Sequence, residues 1–232
     1  MELGGLQKMT TVDYPGKIAA TVFLIGCNFR CPYCHNPELV LPEKIKKHPK
    51  IKKSDFFKFL DKRVGLLEGV CITGGEPTLN SDLPEFISNI KKKGFLVKLD
   101  TNGTNYKMLK ELIDKDLIDY ISMDIKTSIK KYDKLLESGN VISQIKKSIN
   151  IIKNSNKDYE FRTTVVPGIV NESDIKEIGQ LLKKVKKFVL QQFIPGKTID
   201  PAFEKIKPFS EEKLKKMTTI LKRTIENVEV RA

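Results

Sequence analysis

Short apolar runs alternate along this chain with longer stretches whose apolar residues recur every three or four positions. Six runs are apolar enough to be buried strands. They are Ile18–Ile25, Gly69–Thr73, Gly94–Asp100, Ile118–Ile125, Tyr159–Val166 and Phe188–Ile194. Between them the helical pattern predicts Ser54–Leu60, Leu83–Lys93, Tyr106–Asp114, helical segments within Ile129–Lys153, and Glu172–Lys183. A last helix begins at Ser210; Ser54 and Ser210 are good N-cap residues. Strand–helix alternation of this kind implies parallel strands joined by right-handed crossovers. Six units are too few for a closed eightfold barrel. The expected fold is therefore α/β, a partial (βα)6 barrel with parallel strands, with residues 1–232 as one domain. No fixed-period repeat, low-complexity tract or linker interrupts it.

Composition narrows the class without naming a function. A chain of 232 residues is long enough for a full α/β core. No apolar run approaches the ~20 residues that a membrane span requires. The four cysteines, three of them clustered, do not resemble a secreted disulfide framework, so a reducing cytoplasm is expected. The net charge of +13 comes from scattered lysine clusters, for which a compositional bias is a sufficient explanation. No aromatic-rich signature accompanies them, so nucleic acid is not the expected partner. An acidic protein partner or electron donor suits such a surface better.

The candidate chemistry starts at Cys27, Cys31 and Cys34, in Gly26-Cys-Asn-Phe-Arg-Cys-Pro-Tyr-Cys-His35. On a helix the outer two would stand about 10 Å apart along the axis, too far for one compact centre. Pro32 disfavours α conformation at Cys31, and Gly26 and Asn28 form turns. A buried strand therefore delivers the chain into a cysteine loop. Cys31-Pro-Tyr-Cys34 alone would suit a dithiol pair, and Cys31 to His35 matches a c-type haem attachment pattern. Three cysteines with His35 could bind zinc. Three thiolates could also hold three corners of a four-iron cluster and leave one iron open, the reading that employs all three. A haem site would need export, and Met1-Glu-Leu-Gly-Gly carries no export signal. The adjacency of Cys34 and His35 is unusual for structural zinc, and a dithiol pair leaves Cys27 without a role.

In a parallel α/β fold the chemistry belongs at the carboxyl ends of the strands, and those ends here are distinctive. Thr73-Gly-Gly-Glu-Pro-Thr78 permits close backbone approach to a ligand, and Glu76 can accept hydrogen bonds from an ammonium group; a tight turn before a helix is the plain alternative. Asp100-Thr-Asn-Gly103 is followed by a helix, which argues against a hairpin. In Met123-Asp-Ile-Lys126, the period of two puts Asp124 and Lys126 on one face, where they could form a simple rim ion pair. Arg162 lies inside a strand and must find an anion or remain solvated. Collected at one rim, these groups suit a nucleoside bearing an amino acid.

At this point the chain resembles the radical S-adenosylmethionine (SAM) enzymes. More narrowly, it resembles the glycyl-radical-enzyme activating enzymes, especially those serving anaerobic ribonucleoside-triphosphate reductase. The resemblance rests on Thr11-Val-Asp-Tyr-Pro-Gly16, the cysteine loop through Pro37, Gly74-Gly-Glu-Pro77, Asp100-Thr-Asn-Gly103, Asp124-Ile-Lys126 and Arg162. It implies that Cys27, Cys31 and Cys34 ligate a [4Fe–4S] cluster whose fourth iron SAM chelates. It places Tyr33 near the adenine and gives Gly74, Gly75 and Glu76 the methionyl ammonium. Asn102, Lys126 and Arg162 would contact the ribose or carboxylate. Asp100 and Asp124 match positions that can hold a monovalent cation. The histidine that some relatives carry near the sixth strand is replaced here by Gln191 and Gln192. No cysteines are present for an added ferredoxin-like domain, and Cys71 is expected to be an inert core residue.

The resemblance further implies reductive cleavage of SAM to methionine and a 5′-deoxyadenosyl radical, which takes a hydrogen atom from a glycine of a partner enzyme. A low-potential ferredoxin or flavodoxin would supply the electron. Action on a small molecule or RNA is the first alternative, and a cluster-bearing electron carrier the second.

Overall fold

In the computed structural model, which describes residues 1–135 and 141–231, the predicted strands lie side by side in one sheet. Its eight strands follow chain order. β1 (Leu3–Thr10) runs antiparallel to β2 (Ala19–Leu24). Parallel neighbours follow: β3 (Gly69–Gly74), β4 (Leu96–Thr101), β5 (Tyr120–Asp124), β6 (Asp158–Val165), β7 (Phe188–Gln192) and β8 (Val228–Arg231). Two single-turn helices, α1 (Pro37–Val40) and α2 (Pro42–Ile45), precede α3 (Lys53–Asp61). The later crossovers are α4 (Leu83–Lys91), α5 (Tyr106–Asp114), α6 (Ile142–Lys153), α7 (Glu172–Leu181) and α8 (Glu211–Leu221). The units β2–α3 through β7–α8 are the six parallel βα units that the apolar pattern predicts.

The sheet must curl. Residues of β1, β2, β6 and β7 line one cavity together with residues of β3, β4 and β5. In a flat sheet β2 and β7 would stand about 24 Å apart, at the usual strand spacing. Among the described residues no pairing joins β1 to β8, so the barrel stays open along that seam. Its outer face is a layer of fully buried aliphatic side chains under the helices, such as Val70, Ile72, Val97, Leu99 and Ile121. The foot is closed by the segment between β1 and β2. Thr10 Oγ1 accepts from the amides of Val12 and Asp13, and buried Tyr14 packs against the Tyr120 ring with centroids 5.9 Å apart.

Three sequence expectations change. β1 was absent from the apolar pattern because two glycines and exposed polar residues break its period; a Cβ on Gly4 would meet Leu39 Cδ2 at 2.4 Å. Ser54 is not a cap: α3 starts one residue earlier, after Lys52, without a side-chain cap. Of the helical stretch expected over 129–153, a 3-10 turn covers Ile129–Leu135 and α6 begins at Ile142; positions 136–140 lie outside the described residues. Ser210 does cap α8, accepting from the Lys213 amide.

β8 is anchored by charge. Glu160 on β6 is fully buried and accepts a bidentate pair from Arg231 at 2.9 and 2.6 Å, with Tyr120 and Ser122 adding hydroxyl donors. Burial pushes the Glu160 carboxyl up, but the Arg231 hydrogen bonds and the Arg162 and Arg231 charges outweigh it, and its pKa is held below the usual range. A depressed folded pKa stabilises the protein above the ordinary glutamate range, and that contribution is lost as pH falls through the depressed value. Arg231→Met should cost about 2 kcal/mol, below the range for fully buried pairs because Arg231 is partly exposed. Urea melts over an acid-to-neutral pH series should show the variant's deficit largest near neutral pH and shrinking as pH falls through the range in which Glu160 protonates.

Candidate active site

The cavity at the carboxyl ends of the strands measures about 420 Å³, within the usual range for a small-molecule site. Every position singled out from the sequence lines it: Cys27, Cys31, Cys34, Tyr33, Gly74, Gly75, Glu76, Asp100, Asn102, Asp124, Lys126 and Arg162.

The cysteine loop leaves β2 through Gly26, whose φ of +99° suits glycine. The Phe29 amide donates to Cys27 Sγ at 3.4 Å, and the Cys34 amide closes a turn on the Cys31 carbonyl. Burial raises the Cys27 thiol to about 12, against the Phe29 hydrogen bond, and raises Cys31 to about 11, against the Lys126 charge. Both are protonated without a metal, so loading with iron must release those protons. His35 does not join the thiols. Its Nδ1 lies 3.0 Å from the Lys197 carbonyl and its ring stacks on Phe193. Among the described residues no three His, Cys, Asp or Glu side chains are grouped to hold a single metal ion. Cys27, Cys31 and Cys34 all line the cavity, and thiolates are the ligands that an iron–sulfur cluster takes.

The Gly74–Gly75 turn packs directly on this loop. The Gly75 amide donates to Leu24 O and the Glu76 amide to Gly26 O, at 2.8 and 2.7 Å. A Cβ on Gly75 would stand 2.0 Å from the Gly26 carbonyl oxygen, and one on Gly74 would stand 2.4 Å from Leu24 backbone atoms. Glu76 is almost wholly buried. Its Oε1 accepts from the Thr78 amide, the Thr78 hydroxyl and the Thr101 hydroxyl, and its Oε2 from the Asn102 amide at 2.6 Å. Three of these four donors share Oε1, so Oε2 keeps one lone pair beyond the Asn102 amide. Glu76 thus joins the ends of β3 and β4 through Thr78 and Thr101, partners that no local sequence pattern marks. Asn102 is similarly engaged: its Nδ2 donates to Asn28 of the cysteine loop and its Oδ1 accepts from Thr104.

Across β4, β5 and β6 the charges form a ladder. Lys98 pairs with Asp100, Asp100 with Arg162 at 3.2 Å, Arg162 with Asp124 at 2.8 Å, and Asp124 with Lys126 at 2.9 Å. Burial raises the Asp100 and Asp124 carboxyls, but the Arg162 charge leads the effects that hold both below the usual carboxylate range. Asp100 and Asp124, the positions expected to border a monovalent cation, are each paired with cations of the chain itself. Lys98, hidden within β4, was also missed, although the period of two places it on the Asp100 face. Burial opposes the Lys126 charge, yet Asp124 leads the neighbours that keep it protonated. Two of its three N–H groups remain beyond the Asp124 contact, and its field reaches Cys27, Cys31 and Tyr33. Tyr33 Oη is buried and, apart from the neighbouring Cys31 thiol, has no hydrogen-bond partner among the described residues. Cys71 is fully buried, with Lys98 Nζ 3.7 Å from its sulfur.

A cavity lined by three thiols, a turn only glycine can form, and a buried charge ladder fits a cluster together with a zwitterionic nucleoside. Comparison with known proteins agrees. Residues 21–182 match the profile of the radical SAM superfamily, and the chain belongs to that superfamily, whose enzymes use a [4Fe–4S] cluster and SAM. Within it the similarity runs to glycyl-radical-enzyme activating enzymes. A Methanocaldococcus jannaschii protein so named is 37% identical over 99% of this chain and 95% of its own length. The pyruvate formate-lyase-activating enzyme of Clostridium pasteurianum is 26% identical over 95% of this chain and 97% of its own. Among solved structures, Streptococcus suis SuiB bound to S-adenosylmethionine shares the fold at 16% identity. Its TM-score is 0.65 over 91% of this chain and 52% of that one. Among the described residues no helix is long and apolar enough to cross a membrane.

Proposed function

We propose that the chain is the activating enzyme of a glycyl radical enzyme, and that its partner is an anaerobic ribonucleoside-triphosphate reductase. The observation that carries the reading is the convergence of Cys27, Cys31 and Cys34 with the Gly74–Gly75 turn and the charge ladder on one cavity. When bound, cluster and SAM together supply one-electron cleavage to methionine and a 5′-deoxyadenosyl radical able to take a hydrogen atom from a glycine.

The chain's own residues bind, orient and exclude water. Cys27, Cys31 and Cys34 would hold the cluster, and Tyr33 would border the adenine. Backbone carbonyls of the Gly74–Gly75 turn, and Glu76 through the lone pair that Oε2 keeps beyond the Asn102 amide, would accept from the methionyl ammonium. Lys126 has donors to spare for a carboxylate. Arg162 is braced on both sides by Asp100 and Asp124 and faces the ligand as an oriented cation. Asn102 would keep the cysteine loop seated against β4. A low-potential ferredoxin or flavodoxin is the electron donor this reading requires, in a reducing cytoplasm.

The test is anaerobic reconstitution with iron and sulfide, then dithionite, SAM and the reductase of the same organism. The expected result is 5′-deoxyadenosine together with a glycyl radical signal on the reductase by electron paramagnetic resonance. Formation of 5′-deoxyadenosine without that radical would replace the protein substrate by a small molecule or RNA. No 5′-deoxyadenosine at all would leave only an electron carrier.

A further inference from the structure

The cysteine loop is pinned by the segment that follows β7. The Ile199 amide donates to the Cys34 carbonyl at 3.1 Å, and the Asp200 amide to the Pro32 carbonyl at 2.9 Å. Within the loop the Cys34 amide closes a turn on the Cys31 carbonyl at 3.0 Å. Tyr33 stands between these anchors, with a tethered residue on each side. Its ring packs at a tilt against Phe203, centroids 6.5 Å apart, and only 6% of the residue is exposed. Backbone and ring together fix where the Tyr33 hydroxyl stands.

That hydroxyl is buried, and among the described residues no oxygen or nitrogen accepts from it. The acceptor beside it is the Cys31 sulfur. A buried tyrosine O–H usually finds a partner, and a neutral thiol is a weak one. Loading with iron changes that. The proton leaves Cys31 when the metal binds, and a metal-bound thiolate can only accept. Hydrogen bonds to ionised acceptors are about twice as strong as neutral ones. Reduction of a cluster adds negative charge to its sulfurs, so a donor aimed at one of them favours the reduced state and raises the potential. This inference rests on the ligand assignment of the function proposed above. We infer that Tyr33 Oη donates to Cys31 Sγ in the loaded protein and makes the cluster easier to reduce. Tyr33 acts here through Cys31, as a positioning residue, while its ring still borders the cofactor cavity.

Tyr33→Phe keeps the ring and removes only the donor. Parent and variant are loaded with iron and sulfide and, without SAM, titrated with dithionite in the presence of mediators. The reduced cluster is followed by electron paramagnetic resonance against potential. At a fixed potential the ratio of reduced to oxidised cluster should fall about fivefold in the variant, a displacement of about 40 mV for one electron. Electron–nuclear double resonance on samples loaded in heavy water gives a second readout. A deuteron coupled to the cluster should be present in the parent and missing from the variant. An unshifted potential, or an equal deuteron signal in both proteins, would overturn the inference while leaving the cluster and the proposed function intact. An unshifted potential together with weaker SAM binding by equilibrium dialysis would overturn it too, by assigning the hydroxyl to the cofactor. A parent that assembles no cluster, read directly by iron analysis, would remove the ligand assignment and this inference with it.

Discussion

Replacing Cys31 with serine is expected to abolish both iron binding and SAM cleavage. Cys31 is the middle thiol of the loop, buried at 7% exposure and close enough to Lys126 to feel its charge. A serine hydroxyl is a hard, weakly acidic ligand where iron–sulfur chemistry needs a soft thiolate. Iron per chain should fall from about four to below about one after reconstitution. The rate of 5′-deoxyadenosine formation should fall at least about 10³-fold. Cys71→Ala is the internal control, because that buried thiol is not part of the cavity lining, although it lies beside Lys98 of the charge ladder. It should lose about 1–2 kcal/mol of stability through the small cavity left behind, yet keep its iron. Iron analysis and product chromatography on the two variants check both statements.

Gly75→Ala should have the second largest effect, by a steric route. The added methyl would lie 2.0 Å from the Gly26 carbonyl oxygen and 3.2 Å from the Cys27 nitrogen. Neither neighbour is a flexible side-chain tip; both are backbone of the cysteine loop. The turn and the loop must separate, breaking the Glu76 amide bond to Gly26. Overpacking of this kind costs about 3 kcal/mol, which for a chain of this length lowers the melting temperature by about 6–12 °C. The separation also displaces the first cysteine relative to the Gly74–Gly75 turn, so SAM affinity should fall at least about tenfold. Thermal melts and equilibrium dialysis of the reconstituted variant measure the two effects separately.

The parallel core was legible because its strands are buried on both faces, which makes each of them a continuous apolar run. β1 and β8 were not. Both are edge strands, and polar residues such as Gln7, Glu229 and Arg231 interrupt their pattern. The candidate site was legible in its members because all but Arg162, which is a charge inside a strand, stand at or beyond the end of a predicted strand. Its internal wiring was not legible. Nothing local in the sequence shows that Glu76 meets Thr101 and the Asn102 amide, or that Arg162 bridges Asp100 and Asp124, because those contacts join strands far apart along the chain. The helix start predicted at Ser54 failed for a simpler reason. A serine is as acceptable inside a first turn as before it, and the extended Lys52 enters the helix without a side-chain cap.

The claim on which the account depends is an iron left open by the protein for SAM. The most direct measurement is electron paramagnetic resonance of the reconstituted, dithionite-reduced chain while SAM is titrated in. A [4Fe–4S]⁺ signal that changes shape and saturates at about one SAM per cluster is the predicted result. A metal content dominated by zinc, or an iron signal that SAM leaves unaltered, would contradict it.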